Sequence, residues 1–248
     1  MSTLIRLEHL SAEVRLPDGE RLTTVDDVSA SFERGTSTAI IGKSGSGKTS
    51  LASIVGLLNN DYDGTLSYDG RDCAAWNDAD RARFRCRHVG FVFQNYNLLA
   101  KTTAVENVEL PLMYNSSVSA AERRKRAIEA LKAVGLGDRL EHKSNQMSGG
   151  QMQRVAIARA LVNNPAVILA DEATGNLDTR TSFEILVLFQ KLHAEGRTII
   201  FVTHNPEIAQ YSSRNIVLRD GQVKDDKPNR NILNAAETLA ALPKQEDD

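Results

Sequence analysis

The chain has 248 residues, of which 41% are hydrophobic and 25% charged, a composition typical of globular proteins. This length suits one large α/β domain or two small ones and buries a core without disulfide or metal staples. Thirty Lys and Arg residues against 32 Asp and Glu residues give a formal net charge of −2, which argues against a nucleic-acid duplex as the main partner.

The first sixty or so residues are predicted to be rich in β-structure, and a further turn and strand follow them. A Pro17-Asp18-Gly19 turn separates the first two apolar stretches, and a short apolar run further on ends in glycine and leads into a helix. The predicted strands are 4–7, 25–32, 37–41 and 63–69, and the predicted helix spans 48–58.

The middle of the chain, residues 78–163, is predicted to be mostly helical. Ser119 and Glu122 have the spacing of a capping box, and the apolar stripe of an amphipathic helix follows them. The basic run Arg123–Arg126 within that helix is interpreted as a solvated face and not as a binding patch.

After residue 165 strands and helices alternate, which predicts a mostly parallel sheet. The predicted strands are 167–170, 198–202 and 215–218, and the predicted helices are 181–195 and 206–211. Residues 229–248 are predicted to form a separate tail with one short helix. Packing against the core, contact with a partner and disorder all remain open for this tail.

The sequence predicts a cytoplasmic protein. Its apolar stretches fall far short of the ~20 residues that span a bilayer, and Arg6, Glu8 and His9 interrupt the segment in which a signal peptide would need an apolar core. Cys73 and Cys86 lack metal-ligand spacing and are interpreted as reduced thiols.

The clearest functional signal is a phosphate-binding loop between a predicted strand and a predicted helix. The residues from Gly42 to Thr49 match GxxxxGK[ST], the pattern whose backbone N–H groups surround phosphate oxygens. Lys48 is predicted to reach the β- and γ-phosphates, and the Thr49 hydroxyl to bind Mg²⁺. The predicted nucleotide-binding residues here are Gly42, Lys43, Ser44, Gly45, Ser46, Gly47, Lys48, Thr49 and Ser50, although a solvated loop lysine remains the alternative for Lys43.

Two carboxylates follow the predicted strand 167–170. Asp171 and Glu172 are expected at the carboxyl-terminal edge of the sheet, where α/β sheets bind ligands. Asp171 is predicted to hold Mg²⁺, and Glu172 to orient or deprotonate the water that attacks the γ-phosphate.

A second glycine-containing motif lies between these two. Ser148, Gly149, Gly150 and Gln151 open a predicted helix, and Ser148 with Gln151 also has capping-box spacing. A capping box alone does not need two glycines, whereas bare glycines at a helix N-terminus allow a phosphate to approach the backbone closely.

Together with Gln94, the segment Gly175–Asp178 and His204, these motifs resemble in order and spacing the nucleotide-binding subunits of ABC transporters. The resemblance covers residues 4–224. It implies a P-loop NTPase (RecA-like) α/β core with a mostly parallel sheet, an N-terminal antiparallel β subdomain and an inserted helical subdomain. The implied core spans about 1–94 and 164–228, and the implied helical subdomain about 95–163.

The resemblance also implies a head-to-tail dimer that holds two ATP molecules, each between the phosphate loop of one subunit and residues 148–151 of the other. Gln94 would sense Mg²⁺ and the attacking water, and would couple the site to a membrane partner. Asp178 would cross the interface, and His204 would contact the γ-phosphate while it positions Glu172. The implied catalytic residues are thus Glu172, His204, Gln94 and Lys48, and the implied metal ligands are Thr49, Gln94 and Asp171.

Residues 96–112 and 170–178 resemble the subgroup of macrolide exporters, lipoprotein-releasing ATPases and the cell-division ATPase FtsE. This implies an ATPase that binds ATP and Mg²⁺, pairs with an integral-membrane permease similar to FtsX or MacB, and lies peripherally on the inner face of the cell membrane. A homodimer with two active sites is the simplest form. The alternatives are a soluble ABC-type ATPase of translation or DNA maintenance, and the ATPase subunit of an importer.

Three positions depart from the family pattern. Val14 lies where an aromatic residue usually stacks on adenine, which predicts weaker binding or a relaxed preference for ATP over GTP. Ala173 replaces the customary proline after Glu172, and Met147 replaces a leucine before Ser148. None of the three replaces a residue expected to contact phosphate, metal or the attacking water.

Overall fold

The computed structural model describes residues 2–243, which form two β-sheets with helices packed around the larger one. The larger sheet has six strands in the order β10-β9-β3-β8-β7-β6, of which only β10 runs antiparallel to its neighbour. These strands are β3 (Ser37–Ile41), β6 (Val89–Phe93), β7 (Val167–Asp171), β8 (Thr198–Thr203), β9 (Arg214–Arg219) and β10 (Gln222–Pro228). The predicted mostly parallel sheet is therefore confirmed.

The smaller sheet is antiparallel and is built mainly by the N-terminal hairpin. Its order is β2-β1-β4-β5, with β1 (Thr3–Arg15), β2 (Arg21–Glu33), β4 (Asp63–Tyr68) and β5 (Arg71–Asp72). The first two strands are longer than the sequence predicts, because bulges at polar positions keep the pairing intact. His9 and Asp27, with φ of 51° and 50°, lie at these irregularities.

Successive side chains of the central strands point into two different hydrophobic cores. Ile168 and Ala170 of β7 pack with the helices, whereas Val167 and Leu169 pack between the two sheets. A strand buried on both faces reads as a continuous apolar run, and this explains why these strands were recognisable from sequence.

The helices are α1 (Lys48–Val55), α2 (Asp78–His88), α3 (Ala104–Met113), α4 (Ala120–Ala133), α5 (Gly149–Leu161), α6 (Thr179–Ala194), α7 (Pro206–Ala209) and α8 (Ala235–Ala241). Helices α3, α4 and α5 pack on one another through buried apolar residues, among them Val108, Leu131 and Ile157. Among the helices of residues 2–243, none combines the length and the apolar character that a membrane span requires.

The predicted capping box of α4 is only half formed. Ser119 accepts a hydrogen bond from the Glu122 backbone N–H, but the Glu122 carboxylate pairs with Arg126 at 2.7 Å and not with the N-cap backbone. An i,i+4 ion pair on an exposed helix face thus replaces the second bond of the capping box.

Strand β10 was missed in the sequence because its residues are mostly polar, and as an edge strand it needs no apolar face. Beyond it, residues 229–243 return along α6, and the interpretation of the tail over 244–248 lies outside the described residues.

Candidate functional site

The carboxyl ends of four neighbouring strands bring the sequence-predicted residues together. In the register of the sheet, Phe93 of β6 pairs with Asp171 of β7, and β8 and β3 continue the same edge. Gln94, Glu172, His204 and Gly42 each directly follow one of these strands. Residues from distant parts of the sequence therefore meet at one edge, as expected for a parallel sheet.

The loop after β3 curls around the side chain of Lys48. The ammonium Nζ donates to the carbonyl oxygens of Gly42 at 2.8 Å and Lys43 at 2.9 Å, and only 6% of the residue is exposed. Lys48 also begins α1, so the positive end of the helix and the lysine charge both act on this loop. Such a loop suits a polyphosphate.

Two glycines allow the loop to approach its surroundings this closely. Gly47 has a φ of 94°, and a Cβ there would lie 1.9 Å from the carbonyl oxygen of Thr24 in β2. A Cβ on Gly42 would lie 2.3 Å from the carbonyl oxygen of Leu218 in β9. Any larger residue would displace the loop, so the motif is required by packing as well as by phosphate access.

The outer part of the loop is available to a ligand. Lys43, Ser44, Gly45 and Thr49 are exposed and Ser50 is half-buried. Ser46 is buried, and its Oγ has no hydrogen-bond partner among the described residues. An unpaired buried hydroxyl is costly, which makes Ser46 a donor that a bound anion would satisfy.

Glu172 is held in an unusual backbone conformation by its neighbours. It has a φ of 48°, its N–H donates to the Val202 carbonyl at 2.9 Å, and its Oε1 receives hydrogen bonds from His204. A left-handed conformation at a non-glycine residue costs energy and is concentrated at functional sites. The carboxylate is therefore fixed in position before any ligand binds.

Asp171 is the most perturbed acid of the site. Burial, together with the charge of Glu172, raises the pKa of its carboxyl to about 6, against the opposing effect of Lys48. Its Oδ1 has no hydrogen-bond partner among residues 2–243. Burial lowers the pKa of Lys48, while Glu172 and Asp171 oppose that shift. A buried carboxylate oxygen without a donor fits a cation ligand.

Gln94 lies against the loop that follows Glu172. Its Nε2 donates to Oδ1 of Asn176 at 3.2 Å, and Nδ2 of Asn176 donates to the Gln94 and Asn95 oxygens at 3.2 and 3.0 Å. A Cβ on Gly175 would lie 2.9 Å from the Gln94 amide nitrogen. The contact between Asn176 and Gln94 has no signal in the sequence, because the two residues are 82 positions apart.

The residues predicted to bind magnesium all offer oxygen. Thr49 contributes a hydroxyl, Gln94 an amide carbonyl and Asp171 a carboxylate, which is the ligand chemistry that Mg²⁺ prefers. Among residues 2–243, no group of three or more His, Cys, Asp or Glu side chains could hold a metal by itself. This donor set, with the unpaired Oδ1 of Asp171, fits an ion that is also held by phosphate and water.

The motif at residues 148–151 forms the N-terminus of α5. Ser148 Oγ accepts from the Gln151 N–H at 3.3 Å, and Gln151 Oε1 accepts from the Ser148 N–H at 3.1 Å, so the capping box is present. A Cβ on Gly149 would lie 2.9 Å from the Tyr96 hydroxyl, and one on Gly150 would lie 2.4 Å from Cγ2 of Thr181. Both glycines thus serve close packing within the chain, which the sequence did not reveal.

Asp178 begins the neighbouring helix α6. Its carboxylate accepts from the Thr181 N–H at 2.9 Å. The Thr181 hydroxyl, together with this N–H, holds the pKa of Asp178 below its usual value. Ser148 and Asp178 are both exposed, and within residues 2–243 neither hydrogen-bonds to the phosphate loop.

Val14 borders a cleft whose lining includes Thr23, the neighbour of the Thr24 carbonyl that approaches Gly47. The cleft has a volume of about 560 Å³, and Tyr62, Arg15 and Arg21 also line it. Val14 is 39% exposed. No aromatic residue lies near Val14 along the chain, but the pairing of β4 with β1 brings Tyr62 into the same cleft.

The other two departures are structurally mild. Ala173 is buried and borders a small apolar cavity formed with Phe189 and Phe201, directly behind Glu172. Met147 is half-buried and packs against the core of the helical region.

Known proteins with similar sequences or structures include ATP-binding proteins of transporters. The sequence profile described as ABC transporter matches residues 25–175. The chain is 46% identical over 227 residues to the macrolide export ATP-binding/permease protein MacB of Shewanella sp. (strain ANA-3), which covers 92% of this chain and 34% of that protein. It therefore spans about a third of the length of this relative.

Shorter relatives match over more of their own length. An ABC transporter ATP-binding protein of Bacillus subtilis, YvrO, is 46% identical over 224 residues, covering 90% of this chain and 97% of that protein. Among solved structures, the ATP-binding cassette MJ0796, as a dimer bound to ADP and Pi, matches with a TM-score of 0.84 and 39% identity over 92% of this chain and 99% of that one.

Proposed function

The chain belongs to the ABC transporter family and is an ATPase of that family, and on this premise we propose that it powers a membrane machine of the macrolide-export or lipoprotein-release type. The similarity to the MacB relative, at 46% identity, supports the type of machine, and the ATPase chemistry is supported most strongly by the gathering of Lys48, Asp171, Glu172 and His204 at one sheet edge. These residues supply phosphate binding, a metal ligand and a positioned carboxylate.

In the proposed reaction, Glu172 orients and deprotonates the attacking water while His204 fixes the carboxylate. Lys48 and the loop N–H groups stabilise the negative charge that develops on the phosphates. Mg²⁺ held by Thr49, Asp171 and Gln94 would neutralise charge on the β- and γ-phosphates. Gln94 would report this state to the membrane partner, because it lies at the edge of the site and contacts Asn176.

The proposed assembly is a head-to-tail homodimer that forms on ATP binding. Ser148, Gly149, Gly150, Gln151 and Asp178 stand exposed or half-exposed at the N-termini of α5 and α6, apart from the phosphate loop of their own chain. They would complete the site of the second copy. A relative of known structure, MJ0796, is described as a dimeric cassette, which supports this arrangement.

The proposed partner is an integral-membrane permease of the FtsX or MacB type, which would hold the chain on the inner face of the membrane. The MacB relative is named as an ATP-binding/permease protein, and the chain covers 34% of its length. We further infer a core of about 1–94 and 164–228, a helical subdomain of about 95–163 and a tail from residue 229.

The test uses Glu172→Gln, which keeps the shape of the side chain but removes the base. With MgATP this variant should lose steady-state hydrolysis and accumulate as a dimer in sedimentation velocity, whereas Lys48→Ala in the same background should remain monomeric. Wild-type turnover in Glu172→Gln would remove Glu172 from its role. A monomer at saturating MgATP would overturn the dimer.

The permease is tested with the same variant as bait in detergent-solubilised membranes, again with Lys48→Ala in the same background as the control. An integral-membrane protein with a large external domain, captured only by the ATP-locked form and confirmed by reconstitution, would support the proposal. Recovery of ribosomal or DNA-associated proteins alone would overturn it.

A further inference from the structure

An ion pair joins the two helices whose first turns carry the exposed motifs. Arg154 of α5 approaches Glu184 of α6, with Nη2 of the arginine 3.0 Å from Oε2 of the glutamate. Arg154 lies six residues after the N-cap Ser148, and Glu184 lies six residues after the N-cap Asp178. The pair therefore joins the two helices at the same distance from their N-termini.

Arg154 reaches a third helix with the other arm of its guanidinium. Nη1 donates to the carbonyl oxygen of Val134, the C-cap residue of α4, at 3.3 Å. One planar fork thus connects the end of α4, the body of α5 and the body of α6. A lysine in its place would offer a point charge and could not make both contacts in this geometry.

Closer to the helix N-termini, α5 and α6 are in direct contact. Because Gly150 has no side chain, the Thr181 methyl group packs where a Cβ would stand 2.4 Å away. Leu177 likewise approaches Gly149. The tight contact limits the separation of the helices at the motif end, and the ion pair limits their relative sliding and rotation further along.

We propose that Arg154 and Glu184 are a positioning pair that keeps Ser148 and Asp178 in register on the surface offered to the second subunit. The proposal rests on the ATP-driven dimer described above. Neither residue is expected to touch nucleotide, since both lie more than a helical turn behind the exposed motifs. The pair instead sets the relative position in which the N-termini of α5 and α6 meet the second subunit.

The effect on association should exceed the effect on folding. The side chains are 24% and 39% exposed, and a partly solvated pair contributes little to global stability. Dimerisation, however, requires the α5 and α6 N-termini to dock at the same time, so a shift between them loses contacts that only the dimer makes. The phosphate loop of the same chain lies between β3 and α1, so a shift between α5 and α6 should leave it unchanged.

The experiment is a charge swap in the Glu172→Gln background. Arg154→Glu, Glu184→Arg and the double variant are compared by sedimentation equilibrium at saturating MgATP, and monomer affinity for a fluorescent ATP analogue is measured separately. Each single reversal should weaken dimerisation by about tenfold, and the double variant should recover part of the loss, because the swap restores the ion pair but not the bond to the Val134 carbonyl. Monomer affinity should change by less than about twofold.

Arg126→Glu is the matched control, because it reverses an exposed ion pair with Glu122 on α4. It should leave dimerisation unchanged. Glu184→Gln keeps the shape of the side chain and removes its charge, and it should weaken dimerisation by about threefold. This variant provides the test if a charge-reversal variant does not fold.

If Arg154→Glu and Glu184→Gln dimerised as tightly as the Glu172→Gln background, this inference would be overturned, and the dimer proposal would stand. The inference would also be overturned if the double variant dimerised no more tightly than the single variants while nucleotide affinity of the monomer and thermal stability fell in parallel. That pattern is expected of a pair with a purely structural role. Failure of the Glu172→Gln background itself to dimerise would overturn the dimer proposal, and the inference with it.

Discussion

His204 donates two hydrogen bonds to a single oxygen of Glu172. The backbone N–H of His204 lies 3.0 Å and its ring Nδ1 lies 2.7 Å from Oε1 of Glu172. Because an ionised carboxylate only accepts hydrogen bonds, Nδ1 carries a proton and Nε2 points away from the glutamate. Both donors act on Oε1, so the second carboxylate oxygen is the one available to a water.

Replacing His204 should therefore slow hydrolysis without weakening ATP binding. In His204→Ala the carboxylate keeps only the backbone donor, and we expect kcat to fall by about 100-fold while the affinity for MgATP changes little. Stopped-flow phosphate release and equilibrium nucleotide binding measure the two quantities. His204→Gln, which retains a side-chain donor, should lose less activity. Wild-type kcat in His204→Ala would show that the backbone bond alone positions Glu172.

Asp171→Asn should stabilise the ligand-free chain, and more so at pH 7.5 than at pH 4.5. Burial raises the pKa of Asp171 to about 6, above its ordinary value near 3.8, so the folded state holds a proton that the unfolded state releases earlier. Stability from this group is therefore lost as the pH rises from about 4 to about 6. Asparagine carries no such charge.

Urea unfolding at the two pH values, without nucleotide or metal, measures this difference. We expect a gain of about 1 kcal/mol at pH 7.5 and almost none at pH 4.5, allowing for solvent that still reaches the group. The same variant should lose hydrolysis, because the metal ligand is gone. An equal gain at both pH values would contradict the raised pKa.

Val14→Tyr should tighten the binding of ATP relative to GTP. An aromatic ring in the cleft would offer a stacking surface, which is worth about 1–3 kcal/mol per base in nucleic-acid systems. Paired equilibrium titrations with the two nucleotides measure the ratio of dissociation constants. Ile232→Tyr, at an exposed apolar position elsewhere, is the control. An equal change for both nucleotides would show that the base lies outside this cleft.

Gly150→Ala should destabilise the chain, because the new Cβ would stand 2.4 Å from Cγ2 of Thr181. We expect a loss of about 1–3 kcal/mol in the free energy of unfolding, as for other insertions into a tight contact. Thr181→Ser removes that methyl group and should restore most of the stability in the double variant. If Thr181→Ser gave no recovery, the cost would lie elsewhere, in the helix N-terminus itself.

Gln190→Ala should release the segment that follows β10. The Gln190 amide donates to the Leu233 carbonyl at 2.7 Å and accepts from the Ala235 N–H at 2.8 Å, so one side chain fixes the backbone that enters α8. Faster cleavage within residues 229–243 under limited proteolysis is expected, with the rest of the chain unchanged. Lys191→Ala, at the next and exposed position of α6, is the control. Equal cleavage rates in both variants would contradict this role.

Features that depend on neighbours along the chain could be predicted from the amino-acid pattern alone. The phosphate loop, the acidic pair after β7 and the alternation of strands and helices are local patterns, because hydrophobic periodicity and glycine placement act over a few residues. They were enough to predict the mostly parallel sheet and the edge at which Lys48, Asp171 and Glu172 meet.

Contacts between residues far apart in the chain depend on the three-dimensional fold. Tyr62 beside Val14, Asn176 against Gln94, Thr181 in the space left by Gly150 and Glu184 opposite Arg154 are all separated by 30 residues or more. The polar edge strand β10 was not predicted for a related reason, because its formation depends on pairing with β9 and not on its own hydrophobic pattern. Such contacts arise from how the sheets and helices pack in three dimensions, and spacing within a single sequence carries no signal for them.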